Sequence, residues 1–84
     1  MKIKYFSWIR ERLDLEEETV ELPENVKTLG ALLDWQATRG DNFTTVFEDP
    51  EIIRVALNMK HETDPQFSLE GITEIAMFPP MTGG

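Results

Sequence analysis

The sequence has no cysteine and a single histidine, His61, in 84 residues. The missing thiols exclude disulfides, thiolate zinc sites, iron–sulfur clusters and a cysteine nucleophile together. Cations are also scarce: eight lysines and arginines stand against sixteen acids, a formal charge of -8. That balance argues against nucleic acid, whose backbone rewards basic patches. It favours a partner surface or cavity of opposite sign, reached by electrostatic steering. No apolar run approaches the roughly 20 residues of a membrane span, and the first residues lack a signal-peptide pattern. The expectation is a soluble, cytoplasmic domain with no membrane partner.

Other chemistry is missing as well. Ser7 and Ser68 have no base placed beside them, and His61 reads as an exposed or rim residue after the third strand. Asp14, Glu16, Glu17 and Glu18 lack the spacing and the glycine of a calcium loop, so no metal is expected. No glycine-rich loop follows a strand, and Trp8 and Trp35 have no basic groove around them. A self-sufficient enzyme is not the expectation.

What is present is one small globular domain, 40% hydrophobic and 29% charged. Lys2 to Trp8 reads as a strand, with Ile3 and Tyr5 on one face and Lys2, Lys4 and Phe6 on the other. Ile9 to Leu13 adds a helical turn. Thr19 to Leu22 reads as a second strand, stopped by Pro23. Thr28 is a suitable N-cap for a helix carrying Leu29, Leu32, Leu33 and Ala37, with Gly40 as its terminator. Asp41 to Pro50 reads as a polar connection with a short turn around Phe43, Val46 and Phe47. Ile52 to Asn58 is a third strand, and Thr73 to Phe78 a final one, ended by Pro79-Pro80.

A lone amphipathic helix needs a sheet to cover. The order therefore implies an α+β fold, a mixed sheet with one main helix packed on one face. This is the β-grasp, or ubiquitin-like, arrangement. Alternation assigns Ile3, Tyr5, Val20, Leu22, Val55, Leu57, Ile75 and Met77 to the helix-facing side. Residues 1–78 form the domain and residues 79–84 a flexible diglycine tail.

The tail carries the chemistry. After Phe78 two prolines lead the chain off the sheet, and Met81, Thr82, Gly83 and Gly84 then shed side-chain bulk. Such a segment fits a narrow channel in another protein and presents the Gly84 carboxylate there. Activated as an acyl-adenylate, that carboxylate is open to a sulfur donor. The resulting thiocarboxylate lets a cysteine-free chain carry sulfur. On the face away from the helix, Phe6 and Phe78 become neighbours if the first and last strands pair. Ala56 shares that face, with Met59 and His61 at its edge. An apolar patch rimmed by polar groups reads as a partner interface.

Phe78 to Gly84 closely resembles the ending of the molybdopterin synthase small-subunit family, ubiquitin-like sulfur carriers that end Phe-Pro-Pro-Val-Ser/Thr-Gly-Gly. Lys4-Tyr5-Phe6, Arg10-Glu11, Val55-Ala56-Leu57-Asn58 and Glu74-Ile75-Ala76 look like that family's strands. Met81 departs from its usual valine, and Met59 from its common glutamine. The resemblance implies a non-catalytic carrier subunit that binds no cofactor of its own. An adenylyltransferase related to ubiquitin-activating enzymes would use ATP to form a C-terminal glycyl adenylate on Gly84, and a sulfur donor would convert it to 1-thioglycine. The carrier would then dock on a large catalytic subunit as a heterotetramer and give its sulfur to a cyclic pyranopterin during molybdenum cofactor biosynthesis. Gly83 would be the small residue beside the terminus. Phe6, Phe78, Pro79, Pro80, Met59 and His61 would meet the partner. Two alternatives stay open: a carrier for thiamine or tRNA thiolation, and an interaction module without terminal chemistry.

Overall fold

The computed structural model describes residues 1–80. The tail positions Met81, Thr82, Gly83 and Gly84 lie outside the described residues. Strand β1 (Lys2–Tyr5) alternates as expected, burying Ile3 and Tyr5. It stops three residues before the expected boundary at Trp8. Ser7 turns through φ 58°, and the chain enters helix α1 (Ser7–Leu13), which buries Ile9 and Leu13 one helical turn apart. Trp8 is therefore helical and half-buried rather than the end of a strand.

Strand β2 (Glu17–Thr19) pairs antiparallel with β1, placing Glu18 opposite Ile3. The expected strand, Thr19 to Leu22, lies too far along the chain. The offset has a physical cause. Glu18 is held on the core side by polar partners described below, so an acid occupies a position that hydrophobic alternation alone would not give it. Val20 and Leu22 still pack against the core, and Val20 exchanges hydrogen bonds with Met1 at 2.9 and 3.0 Å.

Helix α2 (Leu29–Gln36) starts where Thr28 Oγ1 accepts a hydrogen bond from the Ala31 N–H at 3.2 Å. It ends at Ala37, earlier than Gly40 implied. Gly40 instead opens helix α3 (Asp41–Phe47) at φ 135°. The expected polar connection is thus a helix, and it buries Val46 and Phe47 beside α1. A short 3-10 turn, Pro50–Ile52, then leads into β3 (Arg54–Leu57).

Asn58 and Met59, at φ 49° and 70°, form a two-residue turn into β4 (Lys60–Glu62). Both central residues at positive φ match the twist of a hairpin. β4 carries no alternation signal of its own, because Lys-His-Glu contains no apolar residue. Strand β5 (Glu74–Phe78) completes a sheet ordered β2-β1-β5-β3-β4. β1 and β5 run parallel at its centre, and β3 runs antiparallel to β5.

The core lies between this sheet and the helices, and the paired strands contribute Ile3, Tyr5, Val55, Leu57, Ile75 and Met77. Leu29 and Leu32 face it, whereas Leu33 is half-buried. Gln36, the last residue of α2 and one turn beyond Leu32, is completely buried.

Candidate functional site: the open sheet face and the exit of the tail

The parallel register of β1 and β5 ends on Tyr5 opposite Met77. The next residues are Phe6 and Phe78, so the expected neighbourhood of these two positions is realised. The Phe6 N–H donates to the Met77 carbonyl at 3.1 Å, which carries the ladder one step further. Phe6 remains 43% exposed. Phe78 is half-buried and is followed by the half-buried Pro79 and Pro80.

Pairing of β3 with β4 sets His61 opposite Ala56. His61 is thus on a strand, not beyond one, and on the same face as Phe78. Their ring centroids are 6.0 Å apart at 46°. Met59 is not part of this corner. It is 88% exposed at the turn near the start of β5, the opposite end of the sheet from Phe78. Phe6, Phe78, His61, Pro79 and Pro80 therefore share the end of the sheet from which the chain leaves, and Met59 stands apart.

Between these ends the open face is shallow. Ala56 and Ala76 are register partners at its middle, and their short side chains leave room for close approach. Lys2 pairs with Glu17 at 3.4 Å and Lys4 with Glu74 at 3.3 Å. Both pairs are substantially exposed, so each contributes little stability. The face holds Lys2, Lys4 and Arg54 against Glu17 and Glu74. With three cations against two acids this face does not share the acidic excess of the whole chain, whose formal charge of -8 arises from residues elsewhere.

Behind this corner, on the core side, lies a polar cluster that sequence reading missed. Tyr5 donates its hydroxyl proton to Glu18 Oε2 at 2.6 Å. Gln36 Nε2 donates to the Tyr5 hydroxyl at 2.8 Å and to Met77 Sδ at 3.5 Å. Arg39 forms a two-pronged bridge to Glu18 at 2.6 and 2.7 Å and also donates to Gln36 Oε1 at 2.8 Å. The Arg39 guanidinium lies 4.7 Å from the Trp35 ring and 4.4 Å from Phe43. No buried side-chain nitrogen or oxygen among the described residues lacks a partner.

The bond to Arg39 holds the Glu18 carboxyl below the usual carboxylate range, against the opposing effect of burial. Burial pushes the Tyr5 hydroxyl well above its ordinary value, and its bond to the Glu18 carboxylate adds to the rise. Arg39 is raised in turn by Glu18. Tyr5 and Met77 are the residues immediately before Phe6 and Phe78, so this cluster backs the two strands where the corner begins. Arg39 lies just beyond the end of α2. Its partner, Glu18, is 21 residues away.

Among the described residues no group of three or more His, Asp or Glu side chains is placed to hold a metal. No helix there is long and apolar enough to cross a membrane. A depression of about 600 Å³ between α2 and β3, lined in part by Leu29, Leu33, Arg54, Val55, Glu62 and Thr63, contains no histidine that could activate the Thr63 hydroxyl. Nothing in it is arranged for nucleophilic chemistry.

A five-stranded mixed sheet, with β1 and β5 parallel at its centre and helices on one face, defines a ubiquitin-like β-grasp domain. The model of the ThiS family matches residues 3–84, and the chain belongs to that family of ubiquitin-like sulfur carriers. It is similar over 100% of its length to the crystal structure of SAMP1 from Haloferax volcanii, of which 98% is covered, at 25% identity and a TM-score of 0.73. It is also similar to a putative molybdopterin converting factor, subunit 1, from Pyrococcus furiosus. That match has 21% identity and a TM-score of 0.66 over 95% of both chains, and the likeness is one of fold. No curated protein matches the sequence significantly.

Proposed function

We propose that the chain is the sulfur-carrier subunit of a molybdopterin synthase, with Gly84 as the residue that bears the sulfur. The Gly84 carboxylate attacks the α-phosphate of ATP on an activating enzyme, giving the acyl-adenylate and pyrophosphate. A sulfide-equivalent donor then adds to the acyl carbon, AMP leaves, and a thiocarboxylate remains. On the large catalytic subunit the thiocarboxylate sulfur attacks a carbon of a pyranopterin precursor and displaces an oxygen leaving group. Water then hydrolyses the acyl–sulfur bond, which leaves the sulfur on the pterin and a carboxylate on Gly84. The carrier's own part is to be recognised, to reach, and to present one sulfur.

The observation that supports this reading is the corner at which the chain leaves the sheet. The parallel pairing of β1 with β5 puts Phe6 and Phe78 side by side, and Pro79-Pro80 follows directly. A partner that grips this corner has the next four residues within its reach. Membership of the ThiS family supports the chemistry at the terminus, and the Phe-Pro-Pro-Met-Thr approach to Gly83-Gly84 favours the pterin client.

The test is to remove Gly84, or to append one residue after it, and assay sulfur transfer to the pterin precursor. Transfer is expected to be abolished, with thermal unfolding and docking nearly unchanged. Normal sulfuration by the truncated chain contradicts the proposal. A carrier for thiamine or tRNA thiolation would form the thiocarboxylate but leave the pterin unsulfurated.

A further inference from the structure

We propose that Arg54 recognises a carboxylate on the protein that docks against the open sheet face. This rests on the carrier reading above and names a specificity-determining contact within it. Three cations occupy strand positions on that face. Lys2 and Lys4 are each matched by a glutamate, at 3.4 and 3.3 Å. Arg54 has no carboxylate within 4.0 Å among the described residues, although the chain holds twice as many acids as bases.

Its geometry suits it to receive one. Arg54 Nη1 donates to the Glu51 carbonyl at 2.7 Å, which anchors the guanidinium by one edge. A guanidinium has five N–H donors in a rigid plane, so four remain for an acceptor brought from outside. Two parallel N–H groups match the two oxygens of a carboxylate, a geometry that lysine cannot reproduce.

The location gives the contact its meaning. Arg54 is the register partner of Phe78, the residue from which the tail departs. A partner that covers Phe78 also excludes water from Arg54, and excluding water strengthens an ion pair relative to an exposed one. The alanines next along both strands, Ala56 and Ala76, let the partner's surface come close. The occupant is therefore an aspartate or glutamate side chain of the docking protein, set beside the socket that receives Phe78.

The experiment titrates the full chain onto its activating enzyme and compares Arg54→Glu, Arg54→Lys and Lys27→Glu. Lys27 lies in the loop before α2, beside Leu22 and Leu69, so Lys27→Glu changes net charge by the same amount away from the face. Arg54→Glu is expected to weaken binding about 30-fold or more, the loss typical of breaking a desolvated charge pair. Arg54→Lys is expected to lose about tenfold, because charge remains but the paired N–H geometry is gone. Lys27→Glu is expected to stay within about twofold of the parent, as rim charges remote from a contact do.

Equal losses for Arg54→Glu and Lys27→Glu would reduce the effect to net charge and overturn the proposal. Parent-like binding by Arg54→Lys would overturn the two-pronged contact, and it decides the matter even if Arg54→Glu fails to fold. A parent chain that binds the enzyme but acquires no thiocarboxylate would instead overturn the carrier reading. The two failures are thus distinguishable.

Discussion

The two faces of the sheet are built from the same strands, one residue out of step, and they follow opposite rules. On the core side Ile3, Tyr5, Ile75 and Met77 are at most 1% exposed, and the polar atoms among them are paired. On the open side the intervening residues are Lys4, Ala76 and Phe78, half-buried and backed by no helix. The core face holds its polar groups by closing them on each other. The open face keeps an arginine and two phenylalanines available. Stability therefore resides in residues that alternate with those a partner would read, and changes on the two faces separate folding from recognition.

The largest expected effect falls on recognition. Phe78→Asp should weaken docking by about 3 kcal/mol or more, because a charge would be buried unpaired in the partner's socket. Thermal unfolding should move little, since Phe78 is only half-buried in the free chain. A calorimetric titration beside a melting curve checks both. Unchanged affinity would show that the partner does not use this corner.

A smaller effect, on the other face, is expected for Glu18→Ala. It leaves the Tyr5 hydroxyl and the Arg39 guanidinium without their acceptor and should cost about 2 kcal/mol of stability. The carboxyl of Glu18 is held down in the folded state. Its contribution is thus complete above pH of about 4.5 and is lost as pH falls below that value. The Tyr5 hydroxyl is raised, so its contribution is complete below pH of about 10 and is lost as pH rises beyond it. Denaturant titrations across pH should show the acid limb reduced in Glu18→Gln. An unchanged acid limb would mean that Glu18 carries no folded-state advantage.

The smallest effect belongs to the turn end of the sheet. Met59 sits at φ 70°, where glycine is at ease and methionine is not. Met59→Gly should stabilise the chain by about 0.5 kcal/mol and leave docking unaltered. Weakened docking would bring that end of the sheet into the interface after all.

How much of this was legible in the sequence follows from where the information lies. β1, β3 and β5 each alternate an apolar core side with a different open side, so their identity and facing could be read locally. Thr28 declared the start of α2 because an N-cap is a local device. β4 could not be read, since Lys60, His61 and Glu62 form an edge strand held by its turn and its neighbour. Asn58 pins that turn by accepting the Thr73 and Glu74 N–H groups at 3.0 and 3.1 Å, a link across 15 and 16 residues. β2 was displaced for a similar reason, because Glu18 belongs inside only once Arg39 is beside it.

The corner itself was half legible. Phe6 and Phe78 followed from strand pairing. Met59 was expected at the edge of the face, and the hairpin that puts it at the end remote from Phe78 could not be read. Arg54 was passed over because its lack of a carboxylate is visible only in three dimensions. The tail motif was the plainest signal of all, being read from sequence alone.

The measurement that bears most directly on sulfur carriage exploits the absence of cysteine. The chain is incubated with ATP, its activating enzyme and a sulfur donor, treated with a thiol-alkylating reagent, and weighed intact. Alkylation, rather than mass gain alone, is the readout, because methionine oxidation mimics the exchange of oxygen for sulfur. One ATP-dependent label that disappears when Gly84 is removed is the expected result. No label, with an activating enzyme proven on another carrier, would contradict the account.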